Sequence, residues 1–363
     1  MTHLNELYLI LNKYLKWNKS HLKCFALIML VIILKQTCNL SSASKALPIK
    51  CLPQSFYRRM QRFFAGQYFD YRQISQLIFN MFSFDQVQLT LDRTNWKWGK
   101  RNINILMLAI VYRGIAIPIL WTLLNKRGNS DTKERIALIQ RFIAIFGKDR
   151  IVNVFADREF IGEQWFTWLI EQDINFCIRV KKNFIVTNHL GKNHKISDLF
   201  RHLKVGQIEC RKRRILVGRV KLYISALQLE NGELLLVVSP QFNANAIQDY
   251  VLRWEIETLF SCLKGRGFNL ENTRLTDPRR VKKLIAVLAI SFCWCYLTGE
   301  WQHDQKKAIK IKKHGRLSMS LFRYGLDYVQ MAIQRLIGFG KKEEFKEILA
   351  ILRRQNPDRI RVL

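Results

Sequence analysis

Between residues 84 and 183 the periodicity of the sequence changes repeatedly from strand type to helix type. QVQLTLD alternates apolar and polar residues, which predicts a strand that ends at Asp92. Two apolar runs, NINILMLAIVYRG and IAIPILWTLLN, predict the next two strands of a meander. SDTKERIALIQRFIAIF, behind a cap at Ser130 or Asp131, predicts a helix, which is followed by a strand ending at Asp157, a second helix and a last strand. The order βββαβαβ is that of an α/β domain.

The segments on either side of this region differ from it. From Phe184 onward, about sixty residues form short alternating runs separated by GK, NG and SP turns, which predicts a β-rich insertion. Helical periodicity returns near Ala246. The apolar run CFALIMLVIIL near the N-terminus is too short to span a membrane, and we interpret it as a buried helix rather than a signal peptide.

One polar stripe marks the predicted helix YVLRWEIETLFSCLK. At about 100° per residue, Tyr250, Arg253, Glu257 and Lys264 fall within about 60° of one another on a helical wheel. The apolar residues of the helix gather on the neighbouring face, which is the face that such a helix buries. The stripe therefore borders the core and faces a cleft.

Three carboxylates stand at positions suited to chemistry. Asp92 and Asp157 end predicted strands, which is where open sheets place their active sites, and Glu257 lies in the polar stripe. Converging carboxylates repel one another unless a cation lies between them. Two Mg²⁺ ions, with Mn²⁺ as a substitute, would supply that cation and stabilise the attacking and leaving oxygens of a phosphoryl transfer. Each acid also has a plainer interpretation, as a turn residue or as part of a helix-surface ion-pair set.

The charge of the chain indicates its partner. Lys and Arg number 60 against 28 Asp and Glu, which gives a formal charge of +32. A nucleic acid is the usual partner of such a chain, because neutralised phosphates release counterions, although an acidic membrane surface would also attract it. The eight cysteines include no CxxC pair, so we expect reduced thiols and no zinc site.

The spacing of the polar stripe resembles the hallmark of the IS4-family transposases of bacterial insertion sequences. That hallmark is Tyr, two residues, Arg, three residues, Glu, six residues and Lys, and Tyr250, Arg253, Glu257 and Lys264 reproduce it. The neighbourhoods LDRTNWKWG, ADREFIG and LKGRGFNLENTRLTDPRR are also similar to the family. The resemblance extends from about residue 85 to about residue 300.

The resemblance implies an α/β fold with an RNase H-like catalytic core, in which a mixed sheet is flanked by helices and interrupted by the insertion. It implies Asp92, Asp157 and Glu257 as the catalytic, metal-binding acids and Tyr250, Arg253 and Lys264 as DNA-binding residues. We predict an N-terminal helical DNA-binding domain over residues 1–80 and a catalytic core in two parts, 81–183 and 245–300. The β-rich insertion between these parts covers 184–244, and a basic helical tail covers 301–363.

The function implied is that of a cytoplasmic, nucleoid-associated DNA transposase that nicks the element's ends, frees a 3′-OH and joins it to target DNA. Its partners would be double-stranded DNA and a second copy of the chain, with no membrane involved. Arg58, Arg59 and Arg62 lie in one short helical stretch and are predicted to contact the ends. Two other classes remain open: an RNase H-like nuclease of repair or defence without strand transfer, and a non-enzymatic basic protein that binds DNA or a membrane surface.

Overall fold

The computed structural model describes residues 2–48, 51–188, 191–313 and 315–353. The chain forms two compact units, each assembled from segments that are distant in sequence. The helical unit comprises Met1–Phe84, Trp96–Ile103 and Phe260–Leu363, and the sheet unit comprises Asp85–Asn95 and Asn104–Leu259. The domain bounds proposed from the sequence stay predictions.

The strands of the described residues belong to one sheet. They are β1 (Val87–Trp98), β2 (Arg101–Tyr112), β3 (Ile115–Leu123), β4 (Ile151–Ala156), β5 (Phe176–Arg179), β6 (Ile185–Thr187), β7 (Asn193–Lys195), β8 (Ile208–Cys210), β9 (Ile215–Val217), β10 (Val220–Gln228) and β11 (Leu234–Ser239). Their order is β3-β2-β1-β4-β5-β11-β10-β9-β6-β7, and β8 pairs with β10 outside this path.

The helices of the described residues are α1 (Thr2–Tyr14), α2 (Lys19–Lys35), α3 (Leu40–Ala43), α4 (Pro53–Gly66), α5 (Tyr71–Met81), α6 (Thr132–Phe146), α7 (Glu163–Glu171), α8 (Ala246–Val251), α9 (Glu255–Leu263), α10 (Pro278–Gln305), α11 (Leu321–Phe339) and α12 (Glu343–Arg353). Short 3-10 turns occupy Lys148–Arg150, Ile196–Phe200, Leu252–Trp254 and Leu270–Asn272.

The first five strands form a mixed sheet. β4 pairs parallel with β1, β5 pairs parallel with β4, and β2 and β3 form an antiparallel hairpin. Pro118 lies in β3, which ends the sheet, and an edge strand tolerates a residue that lacks a backbone N–H. With α6 and α7 in the predicted positions, the order βββαβαβ and the predicted α/β class with an RNase H-like core are confirmed.

The prediction that the first strand ends at Asp92 is wrong, because β1 continues to Trp98. The two neighbours of β1 explain the difference. Its parallel pairing with β4 ends at Leu91 opposite Ala156, whereas a tight turn at Gly99, with a positive φ of 55°, leads directly into β2. Asp92 therefore lies at the end of the parallel ladder, within a strand that extends beyond it.

Local sequence signals place the first helix of the core. Asp131 caps α6 by accepting a hydrogen bond from the backbone of Glu134, whose side chain accepts one from the backbone of Asp131. This reciprocal arrangement satisfies two backbone donors that a helix N-terminus otherwise leaves unpaired. The buried face of α6 includes Leu138, Ile139 and Phe142.

The segment predicted as an insertion extends the same sheet. It contributes β6 to β11 within the described residues, and β11 pairs antiparallel with β5 through Val238 and Ile178. The buried face of β10 and β11 includes Ile224, Ala226 and Leu236.

The helical unit has its own core. The apolar run near the N-terminus forms most of α2, in which residues 24–33 are all buried, as predicted. α10 is buried along most of its length, and Gly325 of α11 packs closely on Gly299 of α10. Within the described part of the chain, α10 has the length and hydropathy of a membrane span, but 89% of its most apolar window is buried inside the protein. Its burial in the core of the helical unit is consistent with its apolar composition.

Candidate active site

Asp92 and Asp157 lie side by side where the parallel pairing of β1 and β4 ends. Leu91 of β1 is paired with Ala156 of β4 in a parallel register, and each is followed directly by one of these acids. Parallel strands bring residues at corresponding positions side by side, about 4.8 Å apart in the backbone. Strand pairing thus fixes the position of both carboxylates.

The loop that follows Asp157 is held by buried contacts. Arg135, itself only 4% exposed, donates to the backbone oxygens of Ser130, Glu159 and Ile161 at 2.6, 2.9 and 3.2 Å. The buried ring of Phe160 lies under the same guanidinium group, with 5.2 Å between the Cζ atom and the ring centroid. A buried arginine with this many partners holds the loop in one conformation.

A second arginine links the residues that follow the two acids. Arg93 donates from Nε and Nη2 to the two carboxylate oxygens of Glu159, both at 3.1 Å, and from Nη1 to Asn104 Oδ1 at 3.0 Å. Such a two-point arginine–carboxylate pair fixes direction as well as distance. The sequence analysis did not identify Glu159 or Arg93. The only available signal was that an arginine follows each predicted catalytic aspartate, in LDR and ADRE.

The predicted helix that carries the polar stripe is not continuous. α8 ends at Val251, the 3-10 turn Leu252–Trp254 follows, and α9 begins at Glu255. A 3-10 turn winds more tightly than an α-helix, so the positions on either side of it do not follow a single helical wheel. The tightened turn carries Arg253, whose side chain points into the protein towards the strand acids.

Hydrogen bonds nevertheless join most of the stripe to the acids. The hydroxyl of Tyr250 donates to Asp157 Oδ1 at 3.2 Å. Arg253 donates from Nη2 to Glu257 Oε1 at 2.7 Å and from Nη1 to Asp92 Oδ2 at 3.4 Å. The three predicted catalytic acids and two of the predicted DNA-binding residues therefore belong to one cluster in the sheet unit.

Exposure differs sharply within this cluster. The side chain of Arg253 is 4% exposed and that of Asp92 is 15% exposed, whereas that of Glu257 is 57% exposed. The Arg253 Cζ atom also lies 5.6 Å from the ring centroid of the buried Tyr250. The guanidinium group is thus a buried cation between two carboxylates. Its predicted contact with DNA phosphates stays a prediction.

The electrostatics of the cluster are those of crowded acids. The pKa of Asp92 is raised to about 7. Burial is the largest cause and the charges of Glu159 and Asp157 add to it, while the backbone N–H of Arg93 and the charge of Arg253 act in the opposite direction. Burial also raises the pKa of Tyr250, so its hydroxyl remains a neutral donor at physiological pH. A bound cation would offset both the burial of Asp92 and its repulsion by the neighbouring acids.

Lys264 is the one stripe residue that lies in the other compact unit. It follows the last residue of α9, and its Nζ atom lies 2.8 Å from Glu271 Oε1 and 6.0 Å from the ring centroid of Trp96. Its side chain is 25% exposed. The structure therefore gives Lys264 surroundings different from those of the other five predicted residues.

A further carboxylate in this region, Glu255, was also missed. Its two oxygens accept hydrogen bonds from the backbone N–H groups of Tyr112 and Gly114 at 2.7 and 2.9 Å, and Glu255 is 9% exposed. These bonds tie the first residue of α9 to the turn between β2 and β3. Glu255 thereby fixes the start of the helix that carries Glu257.

The donor set of the cluster suits a hard cation, because Asp92, Asp157 and Glu257 offer only oxygen ligands, as Mg²⁺ prefers. Across the described residues, no group of three histidine, cysteine or acidic side chains stands ready to hold a metal ion. The guanidinium group of Arg253 bridges Asp92 and Glu257. The residues fit the metal by their chemistry and by the raised pKa of Asp92.

Comparison with known proteins gives a family and one structural likeness. A family model described as "Transposase DDE domain" matches residues 83–294, which is more than half of the chain. No curated protein matches the sequence. A solved structure described as "Cryo-EM structure of piggyBac transposase synaptic complex with hairpin DNA" is 13% identical, with a TM-score of 0.45 over 98% of this chain and 84% of that chain.

Proposed function

The chain belongs to the transposase DDE domain family, and we propose that it serves a bacterial insertion sequence of the IS4 family. It is a DNA transposase, an enzyme that cuts and joins DNA strands. The IS4 assignment rests on the spacing of Tyr250, Arg253, Glu257 and Lys264.

One observation carries the proposal. Asp92 and Asp157 end a parallel ladder side by side, and Arg253 and Tyr250 connect them to the helical segment that carries Glu257. Three carboxylates gathered in this way would hold two Mg²⁺ ions, with Mn²⁺ as a substitute. When bound, the ions would stabilise the attacking and leaving oxygens of an in-line phosphoryl transfer.

The surrounding residues position these acids. Tyr250 orients the carboxylate of Asp157 by donating to its Oδ1 atom. Arg253 orients Asp92 and Glu257 and offsets their charge until a cation does so. Tyr250, Arg253 and Lys264 are the proposed DNA-binding residues, and Arg253 would exchange part of its carboxylate contact for a phosphate when DNA binds.

The reaction proceeds in two displacements at one site. Water attacks the phosphorus at the end of the element, the bond to the 3′ oxygen breaks, and a 3′-OH is released. That 3′-OH then attacks a phosphorus of the target DNA, so one phosphodiester bond forms as another breaks. No covalent enzyme intermediate is needed, and two protomers hold the two terminal inverted repeats in a synaptic complex in the bacterial cytoplasm.

The basic surface of the insertion supports a DNA partner. Lys212, Arg213, Arg214, Arg219 and Lys221 are all exposed, and all lie in or beside the hairpin formed by β9 and β10. Phosphate neutralisation by such side chains gives sequence-independent affinity. The same charge would also attract an acidic membrane surface, so the assay below uses DNA directly.

The test is cleavage and joining by the full-length protein. DNA from both sides of the reading frame is incubated with a target plasmid and Mg²⁺. We expect cut ends and joined products from the wild-type protein. Asp157→Asn should not cut DNA, because the amide lacks the charge that binds metal. Its DNA binding should be nearly unchanged. Asp149→Asn, an exposed substitution just before β4, is the matched control and should retain activity.

Three outcomes contradict parts of the proposal. Cutting at the wild-type rate by Asp157→Asn would refute the assignment of the acid. Nicked DNA without joined products would favour an RNase H-like nuclease of repair or defence. DNA binding without any metal-dependent cleavage would refute the enzymatic proposal.

A further inference from the structure

The exposed face of α4 differs from an ordinary solvated helix surface. The helix buries Phe56, Met60, Phe63 and Phe64 and contains no acidic residue. Its exposed side chains include Gln54, Ser55, Arg58, Gln61 and Arg62, which recur at helical spacing. A solvated face usually mixes both signs of charge, whereas this face carries only arginine and neutral hydrogen-bonding groups.

The three arginines of α4 have different roles. Arg59 donates from Nη2 to the backbone oxygen of Ser20 at 3.1 Å and so ties α4 to α2. Arg58 and Arg62 are exposed and lie on the same face as Gln61. The sequence analysis treated the three as equivalent, but only Arg58 and Arg62 are available to a partner.

A cavity of about 160 Å³ adjoins this face within the helical unit. It is lined by Tyr57 and Gln61 of α4, by Arg274 from the segment that leads into α10, and by Arg280 in the first turn of α10. Both of these arginines are exposed. Asp277 also lines the cavity, but its carboxylate caps α10 by accepting from the backbone of Arg279 and Arg280. Exposed positive charge therefore lies beside the polar face of α4.

We propose that α4 reads base edges in double-stranded DNA, while Arg274 and Arg280 bind the adjacent phosphates. Arginine pairs with guanine and glutamine with adenine through two hydrogen bonds each in the major groove. From Gln54 to Gln61 the helix rises about 10 Å, close to three base-pair steps of about 3.4 Å. The inference rests on the proposed function, since it names the element that recognises the ends of the transposon.

DNA is the occupant that the charges favour. A duplex combines a row of phosphates with base edges that accept and donate hydrogen bonds, which matches an arginine pair beside a glutamine–arginine face. An anionic lipid surface would match the arginines alone, because it offers no partner for Gln54 and Gln61.

The experiment selects the preferred sequence of the full-length protein from a library of random duplexes, without Mg²⁺ so that binding is measured separately from cleavage. We expect the wild-type protein to enrich a motif that includes several contiguous base pairs. Arg58→Ala and Gln61→Ala should lose the preference at one or two positions. Each should weaken binding to the wild-type motif by about 5- to 150-fold, the equivalent of about 1–3 kcal/mol for a lost two-bond contact. Gln76→Ala, an exposed glutamine of α5, is the matched control and should leave the motif unchanged.

The phosphate contacts have a different signature. Arg274→Ala and Arg280→Ala should weaken binding to all sequences alike and lower the slope of log K against log salt by about one unit each, with the motif unchanged. Circular dichroism melting of each variant checks folding, because all four side chains are exposed.

The proposal is overturned if Arg58→Ala and Gln61→Ala enrich the wild-type motif at wild-type affinity, or if the wild-type protein enriches no motif. It is equally overturned if the variants lose binding to anionic vesicles but not to DNA. None of these results depends on cleavage. Base recognition by α4 can therefore be refuted while metal-dependent cutting persists, and cutting can be refuted while base recognition by α4 persists.

Discussion

Replacing Arg253 with alanine should lower the folding stability of the protein, whether or not it also weakens DNA binding. The side chain is 4% exposed and bridges Asp92, at 3.4 Å, to Glu257, at 2.7 Å. Its removal leaves the carboxylate of Asp92 buried without a neighbouring cation. A surface ion-pair set would behave differently, because exposed pairs contribute little.

The expected loss follows from the exposure of each partner. Breaking a buried ion pair by removing one member costs about 3–5 kcal/mol, and we expect about 3 kcal/mol because Asp92 keeps some solvent contact. The bond to Glu257, whose side chain is 57% exposed, should add less than about 0.5 kcal/mol. The loss should be greater at pH 8 than at pH 5.5, since the pKa of Asp92 is about 7 and its protonated form needs no cation.

The assay is urea unfolding at both pH values without divalent metal, combined with DNA binding across a salt series. Arg253→Lys keeps the charge but cannot bridge two carboxylates through a planar group, so its stability should fall between those of wild type and alanine. Lys264→Ala removes a partly exposed pair with Glu271 and should cost less than about 1 kcal/mol. If Arg253 and Lys264 also bind phosphates, each alanine variant lowers the salt slope by about one unit, and Glu257→Gln leaves it unchanged.

An unfolding free energy of Arg253→Ala within 0.5 kcal/mol of wild type, the scale of an exposed pair, would refute the bridging role. An equal loss at both pH values would refute the involvement of ionised Asp92. Salt slopes identical to wild type in both alanine variants would refute phosphate binding by Arg253 and Lys264 and would not affect the proposed metal-binding role of the acids.

Three other perturbations test the surroundings of the site. Without metal, wild-type stability should fall as pH rises from about 4 to about 7, since the raised pKa of Asp92 means that the folded state binds more protons there, and Asp92→Asn should show a smaller fall in urea titrations at each pH. Glu255→Gln at pH 8 should cost about 1–3 kcal/mol, because one of the two backbone N–H groups that Glu255 binds loses its acceptor; an unchanged unfolding midpoint would contradict this. Gly325→Ala should cost about 1–3 kcal/mol or more, because its Cβ would collide with the Cys295 carbonyl oxygen, whereas Gly338→Ala in the same helix meets nothing and should be neutral or stabilising in thermal melts.

Periodicity was sufficient to predict the order of the core elements. Alternation and apolar runs identified the strands on both sides of Asp157, and the Asp131 cap identified the first helix of the core. These signals are local, since they depend on which face of each element is buried. No local signal determines where β1 ends, because its end depends on β2, which continues to pair with β1 beyond the point where β4 stops.

The polar stripe shows a second limit of sequence patterns. A helical wheel assumes one uniform helix from Tyr250 to Lys264, but a 3-10 turn interrupts it and α9 ends before Lys264. The spacing still identified residues that meet, because Arg253 and Glu257 are only four positions apart. The wheel becomes less accurate as the distance along the chain increases, and Lys264, eleven residues after Arg253, lies in different surroundings.

The contacts missed altogether are those that strand register creates. Leu91 and Ala156 are paired across the sheet. Arg93, two residues after Leu91, therefore lies close enough to Glu159, three residues after Ala156, to form an ion pair. No periodicity relates positions 66 residues apart. Once the register is known, the pair explains how β1 and the loop after β4 hold the two predicted catalytic aspartates at a constant separation. Arg93, which follows Asp92, binds the carboxylate of Glu159, which lies two residues beyond Asp157. The separation of the two acids is therefore set by the strand pairing that precedes them and by the Arg93–Glu159 ion pair that follows them.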